Sequence, residues 1–173
     1  MEFEALNKIY SNTVDDIIEI GAHNLCMYSR EDLDEAQIGF RVDAEGNKLD
    51  NWIGDEYFVI GYDSGNGNPI IVKVDEEQIP VYTMKKDNKK SLKLIVDTYD
   101  EFIDILKLIE ATNLYKKEDC QNLLIQTYVQ IPDEAHNFWT LLIAEAYEFY
   151  TDDKFDTYEN DEYEAESEEE FLI

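Results

Sequence analysis

Residues 56–83 read Glu-Tyr-Phe-Val-Ile-Gly-Tyr-Asp-Ser-Gly-Asn-Gly-Asn-Pro-Ile-Ile-Val-Lys-Val-Asp-Glu-Glu-Gln-Ile-Pro-Val-Tyr-Thr, and they leave the chain little choice of fold class. Residues 57–62 are aromatic or β-branched throughout, apart from Gly61, which suits a strand buried on both faces in the middle of a sheet. Residues 63–69 then hold two glycines, two asparagines and a proline, the residues that supply positive φ and a fixed turn. Ile70, Val72 and Val74 alternate with Ile71 and Lys73, so the chain returns as a second strand with one drier face. A polar turn over 75–79 leads to a third strand over 81–85. The stretch predicts a three-stranded antiparallel meander, with Phe58, Ile60, Val72 and Val81 in its core.

The flanking segments read as follows. Residues 3–20 show helical spacing broken at Ser11-Asn12-Thr13, with Thr13 placed to cap a second short helix. Residues 25–28 fit a short strand and 30–35 a loop or one helical turn. Ile38, Phe40 and Val42 alternate with Gly39 and Arg41, which predicts a strand closed by the turn at 44–47. Trp52 is expected to pack on the central run. After the meander, 92–96 reads as a last strand. Thr98 with Glu101 forms a capping box, and Phe102, Ile103, Leu106 and Ile109 make one apolar face of the helix it opens. Two further helices are predicted, over 117–130 and from Pro132-Asp133 onward. The expected class is therefore α+β, a central antiparallel sheet with flanking helices, as one domain over 1–150 followed by an acidic tail over 151–173.

Charge narrows the class of partner. The formal net charge is -27. Residues 151–173 hold eleven acids and one lysine, while the first 150 residues hold thirty acids and thirteen basic residues, so the acidity belongs to the folded part as well as the tail. Such a field repels nucleic acid and anionic membrane and attracts basic surfaces. Cys26 and Cys120 have no metal-type spacing and are expected to stay reduced, and no stretch reads as a secretory signal or a membrane span. The expected location is the cytoplasm.

Candidate chemistry is sparse. Gly65 and Gly67 give a G-x-G after a strand, but another strand follows and no Lys-Ser/Thr pair, so a phosphate loop is excluded. A calcium loop fails as well, because glycines stand where oxygen ligands are needed. His23 and His136 lie far apart with no Cys or His nearby, and ordinary structural roles are expected for both. No nucleophile–base set assembles from the sequence, so no enzyme, cofactor or metal is expected. The five lysines at 85, 86, 89, 90 and 93 read as a solvated hairpin tip that discourages edge pairing.

The central stretch also resembles the SUKH superfamily, which includes bacterial immunity proteins and the yeast SMI/KNR-type regulators of cell-wall synthesis. The resemblance covers residues 37–109. It rests on Gln37-Ile-Gly-Phe40, Trp52, Tyr57-Phe-Val-Ile-Gly-Tyr62, Gly67-Asn-Pro-Ile-Ile71, Pro80-Val-Tyr-Thr83 and the Thr98–Ile109 helix with Phe102. It departs at Asn68 and at the lysine-rich stretch, where many members carry other loop residues. What it implies is the same α+β fold. It further implies an immunity protein, one that binds and occludes a toxin domain, often a nuclease, or alternatively a regulatory scaffold module. A nuclease presents a basic cleft, and an acidic domain can fill it. The partner-binding residues expected from the turns of the meander are Asp55, Glu56, Tyr62, Asp63, Asp75, Glu76 and Glu77, where carboxylates that steer lie beside an aromatic that holds.

Overall fold

The computed structural model describes residues 7, 9–10, 17–50, 52–75 and 77–151. Six strands form one antiparallel sheet in chain order: β1 (Ile17–Ile18), β2 (Leu25–Met27), β3 (Tyr57–Asp63), β4 (Pro69–Lys73), β5 (Val81–Lys85) and β6 (Asn88–Val96). The helices that lie wholly within the described residues are α1 (Leu33–Ala36), α2 (Tyr99–Glu110), α3 (Lys117–Tyr128) and α4 (His136–Thr151), the last preceded by a 3-10 turn over Asp133–Ala135. The fold is α+β, and the central meander runs as the sequence predicts. Helix α4 is described as far as Thr151, and residues 152–173, the rest of the expected tail, lie outside the described residues.

The two faces of the sheet have different covers. Phe58, Ile60, Ile70, Val72, Val81, Ile95 and Val96 meet Phe102, Ile103, Leu106, Trp139 and Ile143 of the helices in the main core. On the other face Val59, Ile71 and Met84 form a smaller cluster under Phe40, Trp52, Ile53, Tyr57 and Leu92. Strand β3 contributes to both, which explains its unbroken apolar run. Trp52 packs there as expected, its Nε1 donating to the Tyr57 carbonyl at 3.2 Å.

The helices start and dock through specific hydrogen bonds. The Glu101 amide donates to Thr98 Oγ1 at 3.1 Å, capping α2, while the Thr98 hydroxyl donates to the Glu101 carboxylate at 2.9 Å. Trp139, fully buried on α4, donates from Nε1 to the Ile95 carbonyl at 2.9 Å. That bond satisfies an acceptor on β6, which has no outer neighbour strand among the described residues.

Three local expectations are corrected. Residues 38–42 form no strand: Gly39 adopts φ +83, and the amides of Phe40, Arg41 and Val42 all turn back to the Gln37 carbonyl. The apolar alternation there belongs to a tight turn, leaving only isolated bridges at Ile38–Val42 and Val42–Lys48. Ile17 and Ile18, read as helical, instead pair with Cys26 and Leu25. Ile18 and Ile20 are both buried while Ile17 is exposed, a period of two that overrides the helical spacing. The Thr13 cap lies outside the described residues. Strand β6 also begins four residues earlier than expected, so the lysine-rich stretch is paired strand around a two-residue turn at Lys86-Asp87.

Candidate functional site

Strand β3 ends at Asp63, and the β3–β4 loop is built around that carboxylate. Asp63 is only 3% exposed. It accepts from the Gly65 amide at 2.8 Å, from Asn66 Nδ2 at 2.6 Å, and lies 3.0 Å from His23 Nδ1. The loop is closed by Gly67 N–H donating to the Asp63 carbonyl at 2.7 Å and Asp63 N–H donating to the Asn68 carbonyl at 2.9 Å. Glycine is required at two places for different reasons. Gly67 has φ +72, as its turn predicts, whereas a Cβ at Gly65 would lie 2.6 Å from the Ala22 carbonyl oxygen and 2.7 Å from His23 Nδ1.

His23 joins this loop to α4. Its Nε2 lies 2.6 Å from Glu145 Oε2, so each ring nitrogen faces a carboxylate. The doubly protonated ring donates to both acids and the neutral ring to one. This Asp63–His23–Glu145 bridge ties the loop to α4. The reading of His23 as an ordinary structural histidine omits the link, which has no local signal because its three members come from three separate segments. Among the described residues no group of three or more His, Cys, Asp or Glu side chains is placed to hold a metal ion. His136 has a packing role, its ring stacked on Tyr128 at 4.2 Å between centroids.

The bridge lines a cleft of about 300 Å³ between α4 and strands β5 and β6. Phe138, Leu141 and Leu142 of α4 line it, with Lys85 of β5 and Lys93 of β6 also on its walls.

The expected partner residues separate into two groups. Asp55, Glu56, Asp75 and Glu77 gather at one end of the sheet, where the Val74 amide donates to the Glu56 carbonyl at 2.9 Å. Asp55 is exposed but paired with Lys48 at 2.7 Å, whose hydrogen bond holds its carboxyl below the usual range. Asp75 lies 3.5 Å from Lys73, and Glu77 is exposed. Glu76 lies outside the described residues. Tyr62 and Asp63 stand at the opposite end. Asp63 is a correction: its buried carboxylate organises the loop and offers no steering charge at the surface. Tyr62 is half-buried and packs on Tyr28 at 5.6 Å between ring centroids.

A second surface joins acids with an exposed ring and was not expected. Tyr115 is 64% exposed and packs against Tyr150 with ring centroids 4.6 Å apart. Ile17, Glu19 and Glu110 line the same groove. The lysine-rich hairpin is likewise less uniform than predicted. Lys89 is half-buried, donates to the Phe40 carbonyl at 3.2 Å and lies 5.5 Å from the centre of the Trp52 ring, and burial pushes its ammonium below its ordinary value. The other four lysines are exposed.

No family model matches the chain, and neither a curated protein nor a solved structure is significantly similar to it. No helix among the described residues is long and apolar enough to cross a membrane.

Proposed function

We propose that this chain is a SUKH-type immunity protein, which binds a cognate toxin domain with a basic, nuclease-like surface and disables it by occlusion. Segregated charge carries this reading. Five of the thirteen basic residues in the first 150 lie between 85 and 93, and the rest of that span holds twenty-nine acids against eight basic residues. One hairpin concentrates positive charge, leaving a strongly acidic field over most of the body. Opposite charge on a partner speeds encounter, towards about 10⁸–10⁹ M⁻¹s⁻¹ at low salt, and disfavours wrong partners. Burial of aromatics then slows dissociation. The Tyr115–Tyr150 groove with Glu19 and Glu110 offers both, and so do the acids at the β4–β5 turn. The cytoplasm is the compartment proposed for this action, and Cys26 and Cys120, both free thiols, are suited to it.

The test is to isolate the partner on the full chain from its native cell, then measure association by stopped flow across a salt series and toxin activity with and without the chain. A single basic partner, an association rate that falls steeply with salt, and loss of toxin activity on binding are expected. A set of weak partners with no preference for basic surfaces would overturn the reading in favour of a scaffold module.

A further inference from the structure

The cleft beside α4 brings two cations, neither paired with a described acid, onto one apolar wall. Two of its three acids are already engaged. Asp63 holds the loop amides and faces His23, and Glu145 faces the other ring nitrogen. Lys85 and Lys93 are exposed and form no ion pair with any described residue. Glu134 is the third acid on the lining, solvent-exposed and without an ion pair among the described residues. In a chain of net charge -27, two unpaired ammonium groups on one cleft mark a local site for a small anion.

The remaining wall is apolar. Phe138 is half-buried, and Leu141 is 51% exposed, which is unusual for a leucine beside a core stripe. A volume of about 300 Å³ has room for about ten water-sized groups at roughly 30 Å³ each. Clefts of this size with an apolar lining and a few polar groups are the usual form of small-molecule sites.

We propose that this cleft binds a small free carboxylate carried on an apolar body, with Lys85 and Lys93 holding the anion and Phe138, Leu141 and Leu142 covering the chain or ring behind it. The site is independent of the toxin-binding reading, since it lies on the lysine-bearing side of the molecule. Asn66, Asn68 and Ser91 also line it and add hydrogen-bonding groups beside the lysines.

The test is a titration of the full chain, followed by backbone amide NMR, with octanoate, octylamine and octanol as probes. Octanoate is expected to shift amides of Thr83, Lys85, Lys93 and Leu141 saturably, with half-saturation at or below about 1 mM. The Lys85→Gln/Lys93→Gln double variant is expected to weaken octanoate at least tenfold, with an unchanged melting temperature because both side chains are exposed. Absence of saturable shifts, equal binding of octanol, or tighter binding of octylamine through Glu134 and Glu145 would each overturn the assignment. Octanoate binding that survives unweakened in the double variant would overturn it as well.

Discussion

At the residue scale the most consequential side chain is Gln37, which acts as a one-residue extension of the sheet. Strand β2 is too short to reach Val59, so the outward backbone groups of Val59 would stay unpaired in the core. The Gln37 amide supplies both partners. Its Nε2 donates to the Val59 carbonyl at 2.8 Å, and its Oε1 accepts from the Val59 amide at 3.1 Å. An unsatisfied buried group costs about 1–3 kcal/mol, so Gln37→Ala is expected to lower stability by about 2–4 kcal/mol in urea unfolding. Gln37→Glu should not rescue it, because a carboxylate cannot donate to the carbonyl. Cys120 gives a prediction in pH. Burial, the largest cause, raises its thiol above the ordinary value, and its Sγ donates to the Leu114 carbonyl at 3.4 Å. The unfolded thiol therefore ionises first, near about 8.5. Its contribution to stability is complete below that pH and is lost as pH rises through the higher folded value. At pH 8 a thiol reagent should modify half-exposed Cys26 rapidly and Cys120 only on unfolding; equal rates would refute the buried placement. Gln37 was visible in the sequence only as part of a resemblance, since nothing local says that its amide must complete a strand far along the chain. His23 was hidden for the same reason. Its meaning depends on Asp63 and Glu145 arriving beside it, and spacing along a sequence carries no such information.

Among the elements, those with strong local chemistry were legible and those defined by their neighbours were not. The capped helix α2 follows from Thr98, Glu101 and the spacing of its apolar residues. Thr98→Ala is therefore expected to cost about 1 kcal/mol, read as a lowered melting temperature with an unchanged denaturant slope. Strand β3 follows from its apolar run, and its position in the middle of the sheet makes Ile60, 1% exposed, a site that cannot take charge. Ile60→Asp should abolish cooperative unfolding, as an unpaired buried charge costs several kcal/mol; a soluble variant with the original melting temperature would refute the central placement. The segment at 38–42 misled for a definite reason. Its alternation of apolar residues matches a strand, but Gly39 at φ +83 bends the chain and three amides converge on the Gln37 carbonyl. Ile17 and Ile18 misled in the opposite sense, since a two-residue edge strand is too short for its period to outweigh the helical spacing around it. The candidate cleft was illegible as a unit because α4 and the β5–β6 hairpin approach only in the folded chain.

For the molecule as a whole, charge is the property that the partner would meet first, and the structure changes which acids can supply it. Asp63 is removed from the surface, Asp55 is offset by Lys48, and Asp75 is partly offset by Lys73, whereas Glu77 is exposed with no described ion pair. Reversal of Asp75, Glu76 and Glu77 to lysine therefore does two things. It removes the turn acids while Asp55 and Glu56 remain, and it sets a new cation beside Lys73. A matched reversal of Glu166, Glu168 and Glu169 changes the net charge equally but in residues 152–173. Asp75 and Glu77 are exposed, and both variants are expected to unfold within about 0.5 kcal/mol of the parent. If the folded body steers a basic partner, the turn set should slow association several-fold at low salt and flatten its salt dependence, with a smaller effect from the tail set. Screening over about 8 Å at physiological salt should bring all three proteins closer together in rate. The dissociation rate separates steering from contact: it should stay unchanged if the turn only guides the partner, and rise if the turn lies within the interface. An association rate indifferent to both sets would show that this acidic surface does not capture its partner electrostatically, and would place the energy of binding in apolar ground such as the Tyr115–Tyr150 groove.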